Sequence, residues 1–232
     1  GLALPLVALQ YHEVKINIDF RPIGECLWAV KSLSSTDGTS QAVTTAYQQS
    51  LVAASIYVDF IFLDTDERRK MAQNPHEYLI EQLQYTGDES VGSSSNKIKI
   101  NFNHPCLELL FMVRRACQER CNNFGNMSGV DGRDPILSAE LLLNTTSRFG
   151  KKPAIYWRAV VPYERHSNIP ESFIYCMAFA LNCEDTTQPS GSLNLSRIDT
   201  CELVLEMQSA LANENYTVLV YGRSWNLLRF RE

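Results

Sequence analysis

Short apolar runs rich in β-branched and aromatic residues recur along this chain, and polar segments rich in Gly, Ser, Asn and Asp separate them. That alternation restricts the fold more than any other feature. Val14, Ile16, Ile18 and Phe20 alternate with Glu13, Lys15, Asn17 and Asp19, the period of a strand with one buried face. The stretch 55–63, SIYVDFIFL, is apolar on both faces and predicts a strand deep in a sandwich. NKIKINF (96–102), LELLFMVRR (107–115), SAELLLN (138–144), SFIYCMAFAL (172–181), CELVLEM (201–207) and YTVLVYGRSWNLLRF (216–230) extend the series. HEYLIEQLQYTG (76–87) fits strand or helix.

Helical signals are confined to two connectors. TDERRKMAQN (65–74) offers Thr65 or Asp66 as an N-cap, acidic residues in its first turn and a stop before Pro75. PAIYWRAV (153–160) begins with Pro153, suited to a first helical position, and ends near Pro162. The loops 32–41, 86–96 and 122–135 are long, but strand signals resume after each without a change of composition. They are surface excursions rather than linkers, so residues 1–232 are expected to form one domain. The pattern predicts an all-β, eight-stranded jelly-roll sandwich with long loops and one or two short connector helices.

The bulk numbers exclude several function classes. Lys and Arg number 21 against 26 Asp and Glu, a net charge of −5, so no basic face for direct nucleic-acid binding is expected. No apolar run has the length to span a membrane. The chain opens on Gly1 with GLALPLVALQ, which lacks the basic start and cleavage site of a signal peptide. It is expected to be a piece of a longer protein. Seven cysteines, an odd and irregularly spaced set (Cys26, Cys106, Cys117, Cys121, Cys176, Cys183, Cys201), point to a reducing compartment. Cys176 and Cys201 lie in apolar runs, where a thiol packs as a small hydrophobe.

Chemistry is sparse. The histidines stand in YHEV, PHEY, NHPC and RHSN, none with the spacing of a cupin metal site. Cys117 and Cys121 have no second ligand pair at zinc-site spacing. No nucleophile elbow, P-loop or dinucleotide fingerprint occurs. No catalytic residue, metal site or cofactor is therefore expected. Four N-x-S/T sequons mark Asn126, Asn144, Asn194 and Asn215 as sugar-acceptor candidates.

Five blocks carry a resemblance: LPLVALQYHEVKI (4–16), KIKINFNHP (97–105), PYERHSNIP (162–170), IYCMAFAL (174–181) and, most specific, QPSGSLNLSRID (188–199). In this order they resemble the C-terminal jelly roll of the major capsid protein of nucleocytoplasmic large DNA viruses. The resemblance implies a structural virion protein with a double jelly roll, of which this chain holds the second roll, the first preceding Gly1. It implies homotrimers of pseudo-hexameric outline that tile an icosahedral shell, contacts with neighbouring capsomers and minor or penton proteins, and an internal membrane beneath. Assembly would take place in the host cytoplasm. A carbohydrate-binding or cupin-like jelly-roll module is the alternative.

Within QPSGSLNLSR, Pro189 fixes φ, Gly191 permits a conformation other residues avoid, and Ser190 and Ser192 can bond their own backbone. The segment is expected to be a stiff corner between two sheets, with Arg197 and Asp199 offering a polar contact at its end. Phe124, Met127 and Ile136 in the long loop are the apolar groups expected at a trimer interface.

Overall fold

The computed structural model describes residues 3–26, 30–33, 40–42, 51–115, 125–208 and 216–230. The chain divides into two compact units. One comprises Gly1–Leu27, Thr44–Ile80 and Asn226–Glu232, and the other Trp28–Val43 and Glu81–Trp225.

The strands pair antiparallel, and most of their residues belong to the larger unit. β1 (Val30–Leu33) and β2 (Ser40–Ala42) make a small ribbon. A six-stranded sheet contains β3 (His76–Tyr85), β4 (Glu89–Val91), β6 (Pro105–Arg115), β10 (Ile174–Ala178), β11 (Leu193–Asn194) and β13 (Tyr216–Phe230). Its main path runs β10-β6-β13-β3. A five-stranded sheet contains β5 (Ser95–Lys99), β7 (Ile136–Leu143), β8 (Thr146–Ser147), β9 (Lys152–Pro153) and β12 (Cys201–Met207), in the path β5-β12-β7-β8. Apart from the β7–β8 hairpin, neighbouring strands on these paths are far apart in sequence, the mark of a jelly roll rather than a meander.

Side-chain alternation explains the packing. In β12 every second residue, Cys201, Leu203, Leu205 and Met207, is buried, and Glu202, Val204 and Glu206 are less so. In β6 the face carrying Leu109, Phe111 and Val113 meets the same core. Phe111 stacks on Tyr175, its partner in β10, with centroids 5.1 Å apart. Each such fully buried side chain contributes roughly 1.5–3 kcal/mol. Ile98, Ile100, Leu141 and Trp157 complete the filling.

Gly222, in the middle of β13, lies opposite Leu109. A Cβ built there would lie 2.6 Å from Cδ2 of Phe102, whose ring is itself buried. The missing side chain makes room for that ring. Gly222→Ala should therefore lower stability by about 1–3 kcal/mol through overpacking, read from the midpoint of urea unfolding. An unchanged midpoint would mean that Phe102 yields freely.

HEYLIEQLQYTG resolves as β3. Three other expectations are corrected. Residues 12–22 and 51–63 carry strand-like sequence but are assigned to no ladder among the described residues, and their apolar side chains other than Leu63 are exposed, Val52 at 98% and Phe62 at 95%. Period-two patterning makes a strand only where a partner ladder and a facing layer exist. The 65–73 helix is capped by Asp64, not by Thr65 or Asp66, in a capping box with Glu67. Pro153 pairs in β9 rather than opening a helix, and Pro162 stands in the first turn of the Val161–Arg165 helix instead. A π-helical turn, Tyr156–Val160, precedes that helix, with the Val161 N–H donating to Tyr156 O.

Candidate functional site

β6 carries a single carboxylate, Glu108, set in the apolar run Cys106–Val113 and 0% exposed. An ionised group so placed needs partners, because desolvation would otherwise cost several kcal/mol. The first is its cross-strand neighbour in β13: Arg223 Nη1 donates to Glu108 Oε1 at 2.6 Å. Arg223 Nη2 in turn donates to both carboxylate oxygens of Glu81 at 3.0 Å. The second is His166, the residue that ends the Val161–Arg165 helix, whose Nε2 lies 2.8 Å from Glu108 Oε2. The third is Cys176 of β10, whose thiol donates to Glu108 Oε2 at 3.3 Å and lies 3.5 Å from His166 Nε2.

An outer layer holds this cluster. Ser167 donates to Glu184 Oε1 from both its backbone N–H and its hydroxyl, and the same oxygen is 3.5 Å from His166 Nδ1. The Cys183 N–H donates to Arg165 O. A cavity of about 470 Å³ opens beside the cluster, lined by His166, Cys176, Leu110, Ile169, Ile174 and Glu184 among others.

The electrostatics follow from this geometry. Burial alone would raise Glu108, but hydrogen bonds from His166 and Arg223 outweigh it and hold the carboxyl below its usual range. His166 is pushed up to about 10, by its hydrogen bond to Cys183 and then by Glu108. Burial and the adjacent Glu108 charge push the Cys176 thiol well above its ordinary range. His166 titrates near 6.5 when unfolded. Its contribution to stability is therefore complete below pH 6.5 and is lost as pH rises towards 10. Glu108 acts in the opposite sense, its contribution being lost on acidification. Urea unfolding at successive pH values should show stability declining from pH 6.5 to 10 and a flatter profile in His166→Gln; parallel profiles would remove His166 as the cause.

Sequence reasoning did not find this cluster. Cys176 is not a simple hydrophobe, for its thiol bonds to the Glu108 carboxylate. The available signal was a lone acid inside LELLF and a lone base inside YGRSW, two charges in runs buried on both faces.

The residues singled out from the sequence lie elsewhere. The segment 188–199 connects β10 of one sheet to β12 of the other. Ser190 Oγ accepts from Asn182 N–H and donates to Asn182 O, both at 2.9 Å. Gly191 has φ +144°, and a Cβ there would lie 3.0 Å from Phe179 O. Pro189 is exposed, as are Arg197 and Asp199, with no ion pair between the last two among the described residues. Asn194 Oδ1 accepts from Ser196 N–H, and Asn126 Oδ1 from Ser128 N–H and hydroxyl. Asn144 and Thr145, both at positive φ, form the two-residue turn between β7 and β8. Asn144 Oδ1 also accepts from the N–H groups of Asp199 and Thr200. Asn215 and Phe124 fall outside the described residues. Met127 is half-buried, and Ile136 is 1% exposed at the start of β7. The expectation of Ile136 at an interface is thus corrected: strand alternation turns it into the core of its own sandwich.

Known proteins share this architecture. The crystal structure of PBCV-1 VP54, fitted into a reconstruction of the virophage Sputnik, superposes with a TM-score of 0.61 at 28% identity, over 74% of this chain and 53% of that one. The Faustovirus major capsid protein, at 10% identity, shares the fold with a TM-score of 0.62 over 73% of this chain and 36% of its own. The sandwich is of the class found in double jelly-roll capsid proteins. Residues 67–232 match the large eukaryotic DNA virus major capsid protein family, and residues 1–64 match the major capsid protein N-terminus. The chain belongs to the major capsid protein family of large eukaryotic DNA viruses. It is 41% identical to the major capsid protein of Phaeocystis pouchetii virus over 318 residues, covering 99% of this chain and 60% of that protein. That alignment is longer than the 232 residues of this chain, so the relative carries internal sequence with no counterpart here.

Proposed function

We propose that the chain works as a shell brick, forming homotrimers of pseudo-hexameric outline that pack against neighbouring capsomers and minor or penton proteins in an icosahedral virion. The observation that carries this reading is the match of residues 67–232 to the capsid family, on a sandwich whose interior is filled by side chains. Repeated weak contacts suffice for such a role, because symmetry holds each subunit several times over. No catalysis belongs to this reading, and assembly takes place in the host cytoplasm.

The matches also support a division of the chain. Residues from 67 onward belong to the second roll, and residues 1–64 are sequence of the first, continued in relatives by segments absent here. On that division the exposed apolar stretches 12–22 and 51–63 are first-roll strands without their partner strands. The reading is tested on the full-length protein by light scattering and electron microscopy. Trimers with a three-lobed, near-hexagonal outline are expected. A protein that stays monomeric at every concentration would overturn it.

A further inference from the structure

We propose that Glu108, His166 and Cys176 form a zinc site on the outer face of the six-stranded sheet. The three residues offer a carboxylate oxygen, an imidazole nitrogen and a sulfur, all within 4.8 Å of one another. They come from β6, the end of a helix and β10, so no spacing motif announces them.

Zinc takes such donors at about 2.0–2.3 Å in tetrahedral geometry, which sets ligand atoms roughly 3.3–3.6 Å apart. Cys176 Sγ lies 3.5 Å from His166 Nε2 and 3.3 Å from Glu108 Oε2, already at that separation. Only the Glu108–His166 distance, 2.8 Å, must open by about half an ångström to meet it. The fourth position faces the cavity that His166 and Cys176 line, leaving room for a water.

The surrounding groups are those a metal site requires. A ligating histidine commonly has its other ring nitrogen held by a carboxylate, and a ligating carboxylate is itself hydrogen-bonded. Glu184 lies 3.5 Å from His166 Nδ1 and is anchored by two bonds from Ser167. Arg223 occupies Glu108 Oε1, leaving Oε2 turned towards His166 and Cys176. Charge also balances. Entry of one divalent ion displaces the Cys176 thiol proton and the proton between His166 and Glu108, so the buried charge is unchanged. A sulfur, nitrogen and oxygen set favours zinc over magnesium or calcium, which prefer oxygen alone. Such an ion would tie three segments of the chain together.

The test uses the whole protein, freed of metal with a chelator. Titration with cobalt(II), a spectroscopic substitute for zinc, should give one equivalent with a thiolate-to-metal charge-transfer band. That band should disappear in Cys176→Ser and persist in Cys201→Ser, a buried thiol outside the cluster. A band that survives Cys176→Ser, or no band at all, overturns the site. A second measurement needs no variant: zinc should slow alkylation of Cys176 at least tenfold, followed by mass spectrometry. Equal Cys176 rates with and without zinc would also overturn it.

Discussion

Arg223→Ala is expected to lower the unfolding free energy by about 3–5 kcal/mol, the usual result of removing one partner from a buried ion pair. Glu108 is fully buried, and without Arg223 its Oε1 loses the donor 2.6 Å away. His166 still faces Oε2, which places the loss towards the lower end of that range. Glu81 would lose its bidentate partner too, but it is solvated enough to rehydrate at little cost. The comparison that isolates the cause is the double variant Glu108→Leu/Arg223→Met. Apolar replacement of a whole buried pair is often neutral or stabilising, so the double variant should be more stable than Arg223→Ala. Urea denaturation of the three proteins at neutral pH decides the matter. If Arg223→Ala costs under about 1 kcal/mol, the pair behaves as a solvated surface contact and the burial argument fails.

Trp157→Ala should cost about 3–5 kcal/mol, the range for truncating a large aromatic residue in a packed interior. Trp157 is 1% exposed and lies in the π-helical turn before the Val161–Arg165 helix. Its ring meets Phe149 and Tyr156 edge-on, with centroids 5.6 and 5.0 Å away. The indole N–H donates to Ala139 O in β7 at 3.1 Å. Trp157→Phe separates the two contributions. It retains most of the volume but removes the donor, so it should cost about 1–3 kcal/mol through the unpaired Ala139 carbonyl. Thermal unfolding of both variants measures the split. Equal losses would assign the whole effect to the hydrogen bond.

How much of this was legible in the sequence follows from what each residue responds to. β12 was readable because Cys201, Leu203, Leu205 and Met207 alternate with residues that tolerate water. β6 and β13 were readable as strands for the same reason, since their apolar content exceeds what a loop can carry. The segment 51–63 has the same composition but no ladder, because pairing depends on a partner strand and not on the residue's own preference. The ionic cluster was hidden by distance along the chain. Glu108 meets Arg223 only through the β6–β13 register, and His166 only because a helix ends above the sheet. The helix start was misread by one or two residues, since Asp64, Thr65 and Asp66 all have capping side chains and local sequence ranks them poorly.

β13 is the last strand described, yet on the main path it lies between β6 and β3, inside the sheet. The ribosome must therefore deliver residues 216–230 before the six-stranded layer can close. Until then β6 and β3 would emerge with unsatisfied backbone edges, in a topology whose non-local pairings are slow to form. Folding of this sandwich is thus an event that follows translation of β13, and a nascent chain stalled before that point should depend on chaperones to stay soluble.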